Sequence, residues 1–185
     1  MQVKIAFFAS DGSCAVARAY VQVANACADC PVDGPGLFRV PASLPAGARL
    51  YLVGLKFGAR PARFVAGLRC QSAGVDKTAF AGAVVAPGFR NLGVMKDLVQ
   101  FAARCERRAA PKSVLVAVVR VFADGTLNLP SLGAFLGAGF RLNRFVQHDL
   151  RHDDADRHLA PTARAGKITC LELLAPSPAT KRGQS

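Results

Sequence analysis

Apolar residues recur along this chain at two spacings, one typical of strands and one typical of helices. Seven stretches are dense in β-branched and aromatic residues and are bounded by glycine, proline or polar turn formers, as strands are. One of them, residues 113–121, is mostly Val, Ala and Leu, which predicts a central strand covered on both faces. The seven predicted strands are residues 3–9, 50–56, 63–69, 78–86, 113–121, 140–146 and 167–174.

Other segments have the helical spacing of apolar positions. The clearest is 93–108, where Leu98 and Ala102 lie on an apolar face and Arg104 and Arg108 lie elsewhere. The remaining predictions are a helix at 11–27 capped by Ser13 or Asp11, a short helix at 131–138, a Pro- and Gly-rich loop at 30–47 and a polar connection at 149–166.

The order of these elements predicts an α/β (α+β) fold. Strand, helix, three strands, helix, strand, helix and two strands describe a mixed sheet of about six to seven strands, with helices on both faces and one βαβ unit. At 185 residues the chain is long enough to bury one core, so we predict a single domain over residues 1–175. Residues 176–185 are predicted to form a disordered basic tail.

Composition narrows the class of protein. Apolar residues make up 51% and charged residues 19%, which excludes a disordered chain. The net charge of +12 arises from scarce acidic residues and favours an anionic partner, whether nucleic acid, phosphorylated cofactor or acidic protein. The basic residues are dispersed, which favours a cofactor site with a basic surface over a nucleic-acid face. Without a membrane-length apolar run or a signal peptide, the sequence predicts a cytoplasmic protein with no membrane partner.

The six cysteines are predicted to be free thiols. Cys27 and Cys30 form one C-x-x-C, and His148 and His152 stand one helical turn apart in sequence. A zinc site joining these pairs would need a long-range coincidence, and the sequence has no second C-x-x-C. We therefore predict no metal.

Two segments carry the candidate chemistry. In residues 84–95 an apolar strand ends at Pro87 and turns through Arg90 and Gly93 into a helix. The first N–H groups of a helix lack intrahelical partners, and with the macrodipole they favour an anion there. In residues 128–140 a short helix closes in a Gly-Phe pair.

Together these segments resemble the GNAT superfamily of acyl-CoA N-acyltransferases. That family has a strand followed by [Q/R]-x-x-G-x-[G/A] at a helix start, and this chain supplies Arg90 and Gly93 in register. Farther on, the family shows an Asn, a small residue, an aromatic or His, and Gly-Phe. This chain has matching residues at those offsets: Asn128, Ser131, Phe135, Gly139 and Phe140.

The resemblance implies a GNAT-like, mostly antiparallel twisted sheet, with acetyl-CoA as the acyl donor. The CoA pyrophosphate would rest on N–H groups at the helix start, and the pantetheine arm would lie like an extra strand beside residues 84–86. Asn128 and Ser131 would contact the arm, and Phe135 would pack against the thioester end. The implied cofactor-binding residues are Val84, Val85, Ala86, Arg90, Asn91, Leu92, Gly93, Val94, Met95, Lys96, Asn128, Ser131 and Phe135.

The chain departs from the family at three points. Met95 replaces a small residue, which predicts a tighter pyrophosphate turn, and Phe135 stands where many members have a tyrosine that protonates the thiolate. Residues 78–87 contain no carboxylate, so the family's frequent glutamate base is absent. The catalytic residues are therefore unassigned. Candidates for the base are Asp76, Asp124, His148 and Glu172.

Three functions remain open. The first is transfer of an acetyl group to a primary amine; the +12 charge favours a neutral or anionic acceptor such as an amino acid, a protein N-terminus or an aminoacyl-tRNA. The second is a CoA-binding module without catalysis, favoured by Phe135. The third is a basic nucleic-acid-binding protein, disfavoured because no nucleic-acid motif is present. The oligomeric state is open, with a homodimer as one option.

Overall fold

The computed structural model describes residues 3–10, 16, 18–20, 22–23, 48–58, 62–121, 127–149 and 167–176. A 3₁₀ turn, Pro87–Phe89, follows the fourth strand. The strands are β1 (Val3–Ser10), β2 (Arg49–Phe57), β3 (Arg63–Ser72), β4 (Lys77–Val85), β5 (Val114–Arg120), β6 (Arg141–Asp149) and β7 (Lys167–Leu174). The helices are α1 (Val94–Ala109) and α2 (Leu129–Gly137).

All seven predicted strands are present, as are the helices predicted at 93–108 and 131–138. The second of these helices, α2, begins two residues before its predicted start because Asn128 caps it, and its Oδ1 accepts a hydrogen bond from the Ser131 N–H at 3.3 Å. Of the helix predicted at 11–27, Val16 and residues 18–20 and 22–23 are helical. The remaining predictions lie outside the described residues: the loop at 30–47, the Cys27–Cys30 pair, the connection after Asp149 and the tail after Pro176.

The strands form one seven-stranded sheet in the order β1-β2-β3-β4-β5-β7-β6. Neighbouring strands are antiparallel except for β4 and β5, which are parallel. Parallel neighbours need a crossover connection, and α1 supplies it between β4 and β5. The mixed, mostly antiparallel sheet and its single predicted βαβ unit are therefore confirmed.

Helices lie on both faces of the sheet, as predicted. Leu68 and Cys70 of β3 are fully buried in the core that also contains Leu98 of α1, and we call this side the α1 face. Because side chains alternate along a strand, Gly67 and Arg69 lie on the other side. Helical residue Tyr20 packs there, with its ring over Gly67, and we call this the Tyr20 face.

The apolar stripe of α1 contains a charged residue. Glu106 lies one turn after Ala102 and is fully buried, and its carboxylate accepts hydrogen bonds from Arg49 Nε at 2.7 Å and Tyr51 Oη at 2.5 Å. Burial first, and then the negative charge of Glu106, raise the pKa of Tyr51 and of the Cys70 thiol. Both groups are therefore protonated at neutral pH.

No helix among the described residues is long and apolar enough to cross a membrane. Cys70 and Cys105 carry free thiols, as predicted for cysteines within apolar patterns. Within the described ranges, no three His, Cys, Asp or Glu side chains are grouped so that they could hold a metal ion.

Candidate functional site

The sheet opens between β4 and β5. Their pairing begins at Lys77 with Val114 and ends at Phe80 with Ala117. Beyond that point the end of β4 pairs only with β3, and residues 118–120 of β5 pair only with β7. The two parallel strands therefore diverge toward their C-terminal ends and leave a gap across which they do not pair with each other.

A bulge in β4 lies at the inner end of this gap. Arg69 of β3 pairs with Ala81, but Gly67 pairs with Val84, so β4 contains one residue more than β3 over this stretch. Gly82 has φ +60, a left-handed conformation that suits glycine. The Tyr20 hydroxyl donates a hydrogen bond of 2.6 Å to the Gly82 carbonyl and so fixes the bulge from the Tyr20 face.

Tyr20 is held in its neutral form. The side chain is almost completely buried, and this burial raises the pKa of Tyr20 to about 12, against an opposing effect from the positive charge of Arg69. Tyr20 is thus a stable hydrogen-bond donor to the bulge over the physiological pH range.

The start of α1 lies directly after the end of β4. Gly93 caps the helix with φ 75, and Asn91 has φ 63. Two residues in the left-handed conformation therefore flank Leu92. Within the part of the chain that the structure describes, no group accepts a hydrogen bond from the N–H groups of residues 92–96. Such a turn at a helix N-terminus is suited to an anion.

The side chains around this turn are arranged in three ways. Arg90 bends back, and its Nε donates to the Val85 carbonyl at 3.3 Å. Lys96 is exposed and forms a 3.7 Å ion pair with Asp97. Met95 is buried in the core, and its effect on the tightness of the turn stays a prediction.

Ala86 is already engaged by its own chain. Its N–H donates to the Val65 carbonyl at 2.8 Å, and its carbonyl accepts from the Phe89 N–H at 2.8 Å. A ligand beside β4 would therefore find only the second lone pair of the Ala86 carbonyl. Val84 lies two residues before Ala86, with its side chain on the Tyr20 face.

Helix α2 lies beside α1. A Cβ built on Gly137 would be 3.4 Å from Lys96 Cδ, so the end of α2 touches the first turn of α1. Phe135 is 2% exposed, and its ring centroid lies 5.3 Å from Phe140 and 6.5 Å from Phe80. Phe135 is thus part of an aromatic core cluster, and its contact with a bound thioester stays a prediction.

The four candidate bases differ in position. Asp76 lies in the exposed turn between β3 and β4, at the opposite end of β4 from the gap. Asp124 is outside the described residues. His148 pairs with Ile168 near the end of β6, which is parallel to β5, so its backbone lies at the same sheet edge as the gap.

Glu172 is the fourth candidate, and its carboxylate is already bound on several sides. It is 5% exposed and accepts hydrogen bonds from Lys77, from Asn143 Nδ2 at 2.8 Å and from Arg144 Nε at 3.3 Å. An extra residue in β6 beside Leu142 brings both Asn143 and Arg144 to it. Burial alone would raise the pKa of Glu172, but Lys77, Asn143 and Arg144 outweigh burial and lower it, so Glu172 is a poor general base.

Replacing this carboxylate gives a pH-dependent prediction. A lowered folded-state pKa contributes stability that is present above the unfolded value of about 4.3 and lost as the pH falls through the folded value. We expect Glu172→Gln to be less stable than wild type at neutral pH, with the difference closing below about pH 4. Urea unfolding of both proteins across this range measures it, and a difference that does not change with pH would contradict the prediction.

Sequence reasoning missed Tyr20, the bulge and the burial of Arg69. An isolated glycine within the predicted strand 78–86 was an available signal, because glycine inside a strand often marks a bulge. The partner of that glycine, Tyr20, lies far away in sequence and carries no comparable signal.

The seven-stranded, mostly antiparallel sheet with helices is consistent with the fold of the GNAT acyltransferases, so the resemblance is confirmed at the level of fold. No family model matches the chain, and no curated protein matches it. Among solved structures, it is similar to the ribosomal-protein-S18-alanine N-acetyltransferase from Escherichia coli, at 13% identity and TM-score 0.58, covering 97% of this chain and 99% of that one.

Two further structures show the same likeness. One is an acyl-CoA N-acyltransferase from Pseudomonas aeruginosa, at 11% identity and TM-score 0.58, covering 94% of this chain and 100% of that one. The other is the NatC complex bound to Gag peptide and CoA, at 13% identity and TM-score 0.55, covering 95% of this chain and 99% of that one. At these identities the likeness establishes the fold.

Proposed function

We propose that this protein is an acyl-CoA-dependent N-acyltransferase that moves an acetyl group from acetyl-CoA to a primary amine. The observation that carries the proposal is the gap between β4 and β5 next to the open N–H groups of residues 92–96. The three similar structures named above are N-acetyltransferases or acyl-CoA N-acyltransferases, or contain CoA. Their folds support the proposal, but their substrates are not carried over to this protein.

In this proposal the donor binds by its phosphates and its arm. The pyrophosphate lies on the N–H groups of residues 92–96, and the arm enters the gap beside Val84 and Val85. The net charge of +12 draws a polyanionic cofactor to the surface. Asn128 and Ser131 reach the arm from α2.

Proximity then supplies most of the catalysis. The neutral amine attacks the thioester carbonyl, the C–N bond forms and the C–S bond breaks. The proton of the amine passes to solvent, because Glu172 is occupied by three donors. The thiolate takes its proton from water, because Phe135 has no hydroxyl. The acceptor is a neutral or anionic amine.

Calorimetric titration with acetyl-CoA and with free CoA tests the donor site through Gly93→Glu. The new carboxylate would occupy the anion position and repel the pyrophosphate, so we expect the affinity for both ligands to fall about 100-fold or more. Wild-type protein is expected to bind both.

Gly74→Glu is the matched control. Gly74 also has a positive φ, and a Cβ there also meets open space, but it lies in the β3–β4 turn at the far end of the sheet. Gly74→Glu therefore adds the same charge at a φ of +139, which strains a side chain more than the +75 of Gly93, and it is expected to bind acetyl-CoA as wild type does. Equal affinities of the two variants would contradict the assigned position, and absence of binding by wild type would overturn the function.

A CoA-binding module without catalysis is the second candidate. Phe135, buried among rings and unable to donate a proton, favours it. Turnover separates the two: acetyl-CoA binding with no thiol release across a broad panel of amines would favour the module over the transferase.

A further inference from the structure

Among the described residues, Arg69 is a largely buried cation without a hydrogen-bond partner. It is 9% exposed, its Nε is buried, and among the described residues no group accepts a hydrogen bond from its guanidinium. Arginine is rarely buried unless it is paired, because transferring an unpaired charge out of water is costly. Within the described part of the chain, no anion therefore compensates the charge of Arg69.

Three other basic residues of the sheet differ from Arg69 in this respect. Lys77 and Arg144 both contact the carboxylate of Glu172, and Arg49 contacts that of Glu106. Tyr20 is the described polar side chain beside Arg69, and its hydroxyl donates a hydrogen bond to the Gly82 carbonyl. The missing partner of Arg69 is thus not one of the described carboxylates.

Gln71 extends the same unsatisfied surface. It stands two residues after Arg69 on β3, so both side chains lie on the Tyr20 face. Its Oε1 is also buried without a hydrogen-bond partner. A cationic donor and a neutral acceptor, both unpartnered, lie next to each other.

This surface adjoins the gap. Arg69 pairs with Ala81, the first β4 residue beyond the pairing with β5, and its Cβ lies close to Gly82 of the bulge. α1 and its open N–H groups lie on the opposite face. A molecule on Arg69 would therefore approach the gap from the side opposite to the donor phosphates.

We propose that Arg69 binds a carboxylate of the amine acceptor, so that the acceptor class is amines with a carboxylate, amino acids or amino-acid-like compounds. The inference rests on the proposed transferase function and specifies its acceptor. The guanidinium fork matches a carboxylate in two parallel hydrogen bonds. A strand rises about 3.3 Å per residue, so a short amino acid held at Arg69 reaches the bulge with its amine.

The test compares acids with their amides in thiol-release assays with acetyl-CoA. The pairs are glycine and glycinamide, β-alanine and β-alaninamide, and 4-aminobutyrate and 4-aminobutyramide, whose lengths sample the distance to the gap. For at least one pair we expect wild type to prefer the acid about 10- to 100-fold in kcat/KM. Arg69→Gln is expected to lose this preference, because its kcat/KM falls more for the acid than for the amide.

Arg63→Gln is the matched control, because Arg63 is an exposed arginine on the same strand. It removes the same charge and is expected to keep the acid preference. Arg69→Met separates binding from folding: removing an unpaired buried charge is expected to leave the thermal midpoint at or above that of wild type. A lower midpoint with an unchanged acid preference would make Arg69 structural and overturn the carboxylate site.

Calorimetry with acetyl-CoA, run on each variant, separates this inference from the proposed function. If acetyl-CoA binds but acid and amide react at equal rates, the carboxylate site is overturned and the proposed transferase function stands. If acetyl-CoA does not bind, the proposed transferase function is overturned. NMR titration with 4-aminobutyrate then tests the carboxylate site at Arg69 by itself. Shifts that disappear in Arg69→Gln then support it, and their absence in wild type overturns it.

Discussion

Gly82→Ala is expected to lower the free energy of unfolding by about 4 kcal/mol, as measured by urea unfolding. Two effects add. The left-handed φ of +60 costs a non-glycine residue about 1–2 kcal/mol. A Cβ there would also overlap the Tyr20 hydroxyl oxygen, so Tyr20 must shift, lose its hydrogen bond to the Gly82 carbonyl and strain its packing, at about 1–3 kcal/mol.

Gly58→Ala isolates the first effect. Gly58 has φ +61, almost the same as Gly82, but a Cβ there meets nothing within 4 Å, so we expect a cost of only about 1–2 kcal/mol. In a Tyr20→Phe background, which removes the overlapping oxygen, Gly82→Ala should cost about as much as Gly58→Ala. Equal costs of the two alanine variants in the wild-type background would show that Tyr20 does not press on the bulge.

The second large effect is expected for Arg49→Met, which should lower the free energy of unfolding by about 3 kcal/mol in urea unfolding. Glu106 is fully buried, and Arg49 supplies the charge that compensates it. Burial disfavours the charged form of Arg49, but the Glu106 carboxylate outweighs this effect and raises the pKa of Arg49. Breaking a buried pair costs about 3–5 kcal/mol, and the partial exposure of the Arg49 side chain, 41%, moves the expectation to the lower end.

Arg144→Met is the control for this pair. Arg144 is 66% exposed, and Glu172 keeps Lys77 and Asn143 after its removal, so the cost is expected to stay below about 1 kcal/mol. Arg49→Met combined with Glu106→Leu should recover most of the loss, because no charge is then left buried alone. A cost of Arg49→Met no larger than that of Arg144→Met would contradict the account.

The order of strands and helices was predictable because burial imposes a period on the sequence. The run from Val94 to Ala109 has one apolar face, and each strand has β-branched residues, so all seven strands and both helices named above were predicted. The open helix start was predictable too, since Gly93 stands between a strand and an amphipathic helix. In these cases the local sequence pattern predicts the secondary structure, and the tertiary contacts favour the same structure.

The remaining features depend on residues that are distant in sequence. The gap arises where β4 follows β3 and β5 follows β7, and no local pattern states where one pairing ends. Glu106 interrupts an apolar stripe and is stabilised only by Arg49 and Tyr51 from β2. The burial of Arg69 likewise requires the sheet to be assembled.

The short pairing of β4 with β5 also divides the molecule mechanically. On one side lies an antiparallel unit of β1 to β4, and on the other an antiparallel unit of β5 to β7. Between the strands of the two units, the ladder extends only from Lys77 to Phe80, reinforced by Phe80 against Phe135 and Phe140. Each unit satisfies its own ladders, so this seam is where hydrogen exchange should detect the first sub-global opening. If acetyl-CoA binds across this seam, it stabilises the closed arrangement of the two units. The frequency of opening would then fall as the concentration of acetyl-CoA rises.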